Sequence, residues 1–118
     1  MKKAIKISAM CCGLLMLASC GSSQKALYTW GDYDSATYSY IKDPSAKNEA
    51  ALMANYERMM DNQAGVRKVV PPGMCAELGY MYFKKGDKQK ATMMLEKEIE
   101  LYPESAVFIK RILEAVNQ

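Results

Sequence analysis

From Tyr28 to Gln118 the apolar side chains recur at intervals of three and four residues. No run of four to eight residues alternates, and none gathers β-branched residues between turns. A period near 3.6 buries one stripe of a helix, whereas a half-buried strand needs a period of two, so this pattern dictates an all-α fold. The punctuation divides it into about five helices. Gly31-Asp32 opens a first helix, about Tyr33 to Lys42, with Tyr33, Ala36, Tyr40 and Ile41 at helical spacing. Asp43-Pro44 reads as an N-cap followed by proline at the first helical position. The second helix then runs to about Gln63 on a stripe of Leu52, Met53, Tyr56, Met59 and Met60, with Gly65 as a C-terminal cap. Val66 to Val70 form a connector, because Pro71-Pro72 pushes the preceding residue toward extended geometry. A third helix starts near Pro72 and ends at Lys84-Lys85, cations suited to the helix dipole, before Gly86. Asp87 caps a fourth helix that Pro103 ends, and Ser105 caps the last.

Ahead of this region, Lys2, Lys3 and Lys6 precede an apolar run of 12 residues from Ile7 to Ala18. That is the pattern of a secretory signal, and it is shorter than the ~20 residues a membrane-spanning helix needs. Leu17-Ala18-Ser19-Cys20 follows, and it resembles the lipobox of bacterial lipoproteins. The resemblance implies a diacylglycerol thioether on Cys20, cleavage before it and acylation of the new amino group. Several chains together anchor stably where one is marginal. The expected organisation is a signal peptide over 1–19, a lipidated tether over 20–27 whose Gly21-Ser22-Ser23-Gln24-Lys25 is short and polar, and one helical domain over 28–118. Gly21, which is not acidic, points by the sorting rule of enterobacteria-like lipoproteins to the outer membrane, facing the periplasm.

Processing also reorders the charge. Of 118 residues, the 19 ahead of Cys20 leave with the signal and 99 remain. The 16 basic side chains then lose three lysines, leaving 13 against 13 acidic ones. A nucleic-acid binder normally carries a basic excess on its domain, so that partner class loses its main support and no nucleic acid is expected. Of four cysteines, Cys11 and Cys12 lie in the signal, Cys20 takes lipid and Cys75 remains. Cys75 reads as a small buried residue on a helix, with an intermolecular disulfide as the alternative. Histidine is absent, which removes Ser-His-Asp and Cys-His nucleophiles and imidazole metal sites. No Gly-rich phosphate loop occurs, and Glu96 and Glu100 beside Lys97 read as a solvated helix face. No catalysis, metal or cofactor beyond the lipid on Cys20 is expected.

The third and fourth helices carry Cys75-x2-Leu78-Gly79-x2-Tyr82, Gly86-Asp87, Ala91-x3-Leu95 and Pro103. This resembles a tetratricopeptide repeat of about 34 residues, in which two antiparallel helices touch at small residues. Here those are Gly79 and Ala91, with Leu78, Tyr82, Leu95 and Ile99 filling the space around them. Cys75 stands in place of the usual Trp. Glu98 replaces a small residue, which argues against full burial of that face. Gly31-Asp32 echoes the Gly86-Asp87 turn 55 residues earlier, so the array is not a regular solenoid. The expectation is one well-formed repeat (72–103) with a C-terminal capping helix carrying Ile109, Ile112, Leu113 and Val116. That geometry implies a partner-binding groove lined by Ala76, Tyr80, Phe83 and Lys84 from the third helix, with Val107, Lys110, Arg111 and Glu114 from the last. A Tyr-Phe pair beside cations suits a partner segment with an apolar anchor and an acidic group or C-terminus.

A longer resemblance rests on Leu27-Tyr28-x-Trp30-Gly31-x-Tyr33, Val70-Pro71-Pro72-Gly73-x2-Ala76-Glu77-Leu78-Gly79-Tyr80, Glu96-Lys97-Glu98 and Tyr102-Pro103-Glu104-Ser105. The chain is similar to the small bacterial lipoproteins known as domain of unknown function 4810. The resemblance implies lipid-anchored proteins, encoded in many genomes beside a lipoprotein similar to the curli secretion pore. It therefore implies envelope protein partners, such as a curli-pore-like lipoprotein, and a place in an envelope assembly or export complex. The expected function is a lipid-anchored, periplasm-facing helical adaptor. The alternative is a lipoprotein that binds cell-wall glycan or lipopolysaccharide through aromatic and basic groups, with Tyr28, Trp30, Tyr33, Tyr38 and Tyr40 as the aromatic cluster. Those rings, and Met53, Met59, Met60, Met81, Met93 and Met94, read first as core packing.

Overall fold

The computed structural model describes residues 24–118, so the signal segment, the lipobox and Cys20 lie outside the described residues. Among the described residues the chain is all-α, with no strand. Its five helices are α1 (Tyr33–Lys42), α2 (Ala46–Asp61), α3 (Met74–Lys84), α4 (Lys88–Leu101) and α5 (Ala106–Val116), and a 3-10 turn at Pro103–Ser105 joins the last two. Each helix packs against the next in sequence.

Gly31 precedes α1 at φ +53°, a left-handed conformation that glycine adopts without strain. The Asp32 N–H donates to the buried Asn55 side chain of α2 at 3.1 Å. The start of α2 differs from the sequence reading. Ser45, not Asp43, is its N-cap, and Ser45 Oγ accepts from Asn48 N at 3.4 Å. Pro44 forces Asp43 into extended geometry, so Asp43 closes α1 instead and accepts from Asn48 Nδ2. Nor is Gly65 the cap of α2, whose C-cap is Asn62. Gly65 is required because another strand of backbone lies against it. A Cβ there would sit 2.4 Å from the Leu27 carbonyl oxygen.

That close approach belongs to a staple. Val66 N donates to Ala26 O at 3.1 Å and Arg67 N to Leu27 O at 3.0 Å. Gln63 brackets the Thr29 backbone through both its amide atoms, and Thr29 Oγ1 accepts from Ala64 N and Gly65 N. The first described residues are thereby held against the α2–α3 connector.

The α3–α4 hairpin is the centre of the fold. Gly86 sits at φ +82°, with Asp87 N bonded to Tyr82 O and Gly86 N to Phe83 O. This is the paired 6→1 and 5→2 pattern of a Schellman C-cap, which turns the chain back at once. Asp87 then caps α4 by accepting from Lys90 N at 3.0 Å. Where the helices touch, a Cβ on Gly79 would lie 3.1 Å from Ala91 O, so the glycine permits the contact. The core lies on both sides of this hairpin. Leu52, Met53, Tyr56 and Met59 of α2 meet Cys75, Leu78 and Met81, with Met94 from α4. On the other side Ala91 and Leu95 meet Ile109 and Val116 of α5. The sequence reading of the methionines as core holds for Met53, Met59, Met81 and Met94, whereas Met93 is exposed.

Glu98 overturns the expectation for its face. It is 2% exposed, and its carboxylate accepts from Gly73 N at 2.6 Å and Ala76 N at 3.4 Å. The N-cap of α3 is Gly73, which has no side chain to offer, so a residue of α4 supplies the cap instead. The face is buried because the carboxylate is satisfied there. Ser105 also behaves differently from expectation. Its hydroxyl donates to Tyr102 O at 2.7 Å and makes no cap bond to α5.

Candidate functional site

A groove of about 560 Å³ runs between α3 and α5. Ala76, Tyr80 and Phe83 of α3 and Arg111 of α5 line it, four of the residues that the spacing assigned to a binding surface. Phe108, Ile112 and Ala115 complete the α5 wall, with Val116 at its end and Glu77 on the α3 side. The volume falls in the range of ~300–1,000 Å³ typical of ligand and peptide sites, and the walls are almost wholly apolar. Phe108 is 66% exposed and Tyr80 is also exposed, a large apolar area to leave in water.

The other four expected residues are elsewhere. Lys84 bends toward the first two helices, where its ammonium donates to the Tyr40 hydroxyl at 3.3 Å and lies 3.8 Å from Glu49. Its charge stands over the Tyr80 ring at 5.4 Å, so it touches the groove only through that ring. The Tyr40 bond outweighs partial desolvation and raises the Lys84 pKa above the ordinary lysine value. Lys110 is exposed and does not line the groove, and neither do Val107 and Glu114. The expected stripe of the last helix packs where the spacing put it, with Ile109 and Val116 buried against Ala91 and Leu95 and with Ile112 and Leu113 partly buried there. The groove takes the flank of that stripe that carries Phe108, Arg111 and Ala115, and not the one that carries Val107, Lys110 and Glu114.

The charges of the groove are unequal in their partners. Glu77 accepts a hydrogen bond from the Tyr56 hydroxyl. Burial first, and then that carboxylate, push the Tyr56 phenol far above its usual value. Among the described residues Arg111 has no carboxylate within ion-pair distance. The groove therefore offers aromatic and aliphatic walls with one uncompensated guanidinium.

The chain matches the family described as Domain of unknown function (DUF4810) over residues 27–112. The chain belongs to that family. No curated protein and no solved structure matches it. The family match spans the Thr29 staple, the α3–α4 hairpin and the part of α5 that carries Phe108, Arg111 and Ile112.

The Tyr28, Trp30, Tyr33 and Tyr56 rings form a connected series with centroids 6.3, 5.2 and 5.9 Å apart, which ties α1 to α2. Tyr38 stands apart and exposed, with Lys42 over its ring. Cys75 is fully buried, and burial first, then Glu98, push its thiol up to about 11. A buried, protonated thiol is a poor disulfide partner, so the intermolecular alternative loses its footing. Among the described residues no group of three or more Cys, Asp or Glu side chains is placed to hold a metal ion, and no helix is long and apolar enough to cross a membrane. Cys20 lies outside the described residues.

Proposed function

We propose that this protein is a lipid-anchored, periplasm-facing helical adaptor of an envelope assembly or export complex, and that it acts by binding rather than by catalysis. In this reading Cys20 carries the lipid, and the α3–α4 hairpin with α5 forms a short tetratricopeptide-like array. The groove between α3 and α5 docks a segment of an envelope protein. The single observation that supports the docking role is the 560 Å³ groove, walled by Tyr80, Phe83 and Phe108 and provided with Arg111, which has no ion-pair partner among the described residues. A central aromatic cluster with one arginine is the composition of interface anchors. Its chemistry selects a partner segment with an apolar side chain for the Phe83–Phe108 wall and a carboxylate for Arg111.

The test is affinity isolation of the full-length, lipidated protein from envelope solubilised in mild detergent. Tyr80→Ala, Arg111→Glu and Cys20→Ala proteins are run in parallel. A specific envelope protein should co-purify with the parent. Its recovery should fall roughly tenfold or more with either groove substitution, the effect of losing a central anchor. Recovery of the parent alone, or equal recovery with both groove variants, refutes the docking role.

A further inference from the structure

The end of the molecule opposite the tight hairpin turn carries a second surface, where the first described residues meet the α2–α3 connector. Leu27 and Val66 are 54% and 59% exposed there, and Trp30, 46% exposed, stands at its edge against Tyr33, Pro71 and Pro72. Lys25, Val66 and Lys68 line one shallow depression, and Arg67 is bonded through its backbone to Leu27. No acidic residue occurs between Gln24 and Gly31 or between Asn62 and Ala76. Among the described residues none of Lys25, Arg67 and Lys68 forms an ion pair. Lys68 moreover holds φ at +59°, a left-handed conformation that is costly for a side-chain-bearing residue and here fixes the turn after Gly65-Val66.

We propose that this surface lies on an anionic phospholipid bilayer, with Trp30, Leu27 and Val66 in the interfacial layer and Lys25, Arg67 and Lys68 on lipid phosphates. The inference rests on the lipid anchor at Cys20, and chain length is what makes it specific. Lys25 follows Cys20 by five residues, which reach at most about 18 Å when fully extended. The headgroup layer of one leaflet is itself about 5–7 Å thick. A chain anchored at Cys20 therefore cannot carry Lys25 far from the surface, and the staple to Gln63–Arg67 brings Val66, Arg67 and Lys68 with it. Tryptophan is the residue that prefers this layer, and clustered cations favour anionic lipid. The bilayer thus orients the adaptor as well as tethering it.

Trp30 is the only tryptophan in the sequence, so its fluorescence reports on this surface alone. The full-length, lipidated protein is reconstituted into phosphatidylethanolamine–phosphatidylglycerol vesicles with or without brominated acyl chains, and flotation is measured on the same samples. The expected result is that the protein floats and brominated lipid quenches Trp30 at least about twofold. The quenching should fall on charge reversal of Lys25, Arg67 and Lys68 to glutamate, and in about 1 M salt, where screening shortens to about 3 Å. Because the salt arm uses the unaltered protein, it holds even if the triple variant misfolds. Protein that floats while Trp30 is unquenched overturns the surface contact and leaves the anchor standing. Protein that does not float overturns the anchor, and the contact with it.

Discussion

Replacing Glu98 with alanine removes a carboxylate that one helix lends to the start of another. Gly73 N at 2.6 Å makes a short, charge-assisted bond, and such bonds contribute about 1.5–3 kcal/mol. The 3.4 Å bond from Ala76 N is weaker and adds less than about 1 kcal/mol. A negative charge at the N-terminus of α3 contributes up to about 2 kcal/mol in a partly buried setting. Against this, the carboxylate is nearly fully desolvated, and its removal returns part of that cost. The balance is a loss of about 2–4 kcal/mol for Glu98→Ala. For a domain of this size that lowers the melting temperature by roughly 10–25 °C. Glu98→Gln keeps the volume and one acceptor but turns an amide NH₂ toward Ala76 N–H, so it should cost about 1–2 kcal/mol. The assay is urea unfolding followed by far-ultraviolet circular dichroism on both variants and the parent. If both variants stay within about 0.5 kcal/mol of the parent, the carboxylate is not the cap of α3 and the reasoning is refuted.

Three further outcomes follow from particular contacts. Gly65→Ala places a methyl 2.4 Å from the Leu27 carbonyl, so it should cost about 1–3 kcal/mol and loosen the staple, read as a shift in Trp30 emission; unchanged emission and stability would contradict the close approach. Tyr102→Phe strips the buried Val70 carbonyl of its 2.6 Å donor and should cost about 1–2 kcal/mol by the same unfolding assay, whereas a neutral substitution would mean that water replaces the hydroxyl. Stability should also decline in alkali, because the Glu57 bond pushes Tyr82 up to about 12 and burial pushes Cys75 up to about 11, from ordinary values of 10.0 and 9.0. Both groups are held protonated more tightly in the folded state, so their contribution is complete below about pH 9 and is lost as pH rises through 11 to 12. Urea midpoints that are flat from about pH 9 to 12 would contradict the assignment.

Local signals made most of the helices legible. Gly31-Asp32 and Lys42 bound α1 where the spacing put them, and Gly86-Asp87 makes the expected hairpin turn, because both are decided within a few residues. Asp43 and Ser45 compete for one cap, and the proline between them decides in favour of Ser45 through the backbone of Asp43. What the sequence could not disclose is pairing at long range. Gly65 looks like a C-cap until Leu27 is seen against it, and Glu98 looks like an interruption of the core until Gly73 is seen to lack a side chain. The groove divides along the same line. Its α3 wall follows from helical spacing alone, while its α5 wall depends on which flank of the buried Ile109–Val116 stripe turns toward α3, and Phe108 rather than Lys110 lies there.

The adaptor reading turns on whether the groove between α3 and α5 is occupied in the envelope. A photo-crosslinking residue placed at Phe108 of the full-length protein tests this directly, with the same probe at Met93 on the exposed face of α4 as the comparison. Docking in the groove should give a discrete adduct from position 108 that Arg111→Glu abolishes, and no such adduct from position 93. No adduct at 108, or the same adducts from both positions, would contradict it.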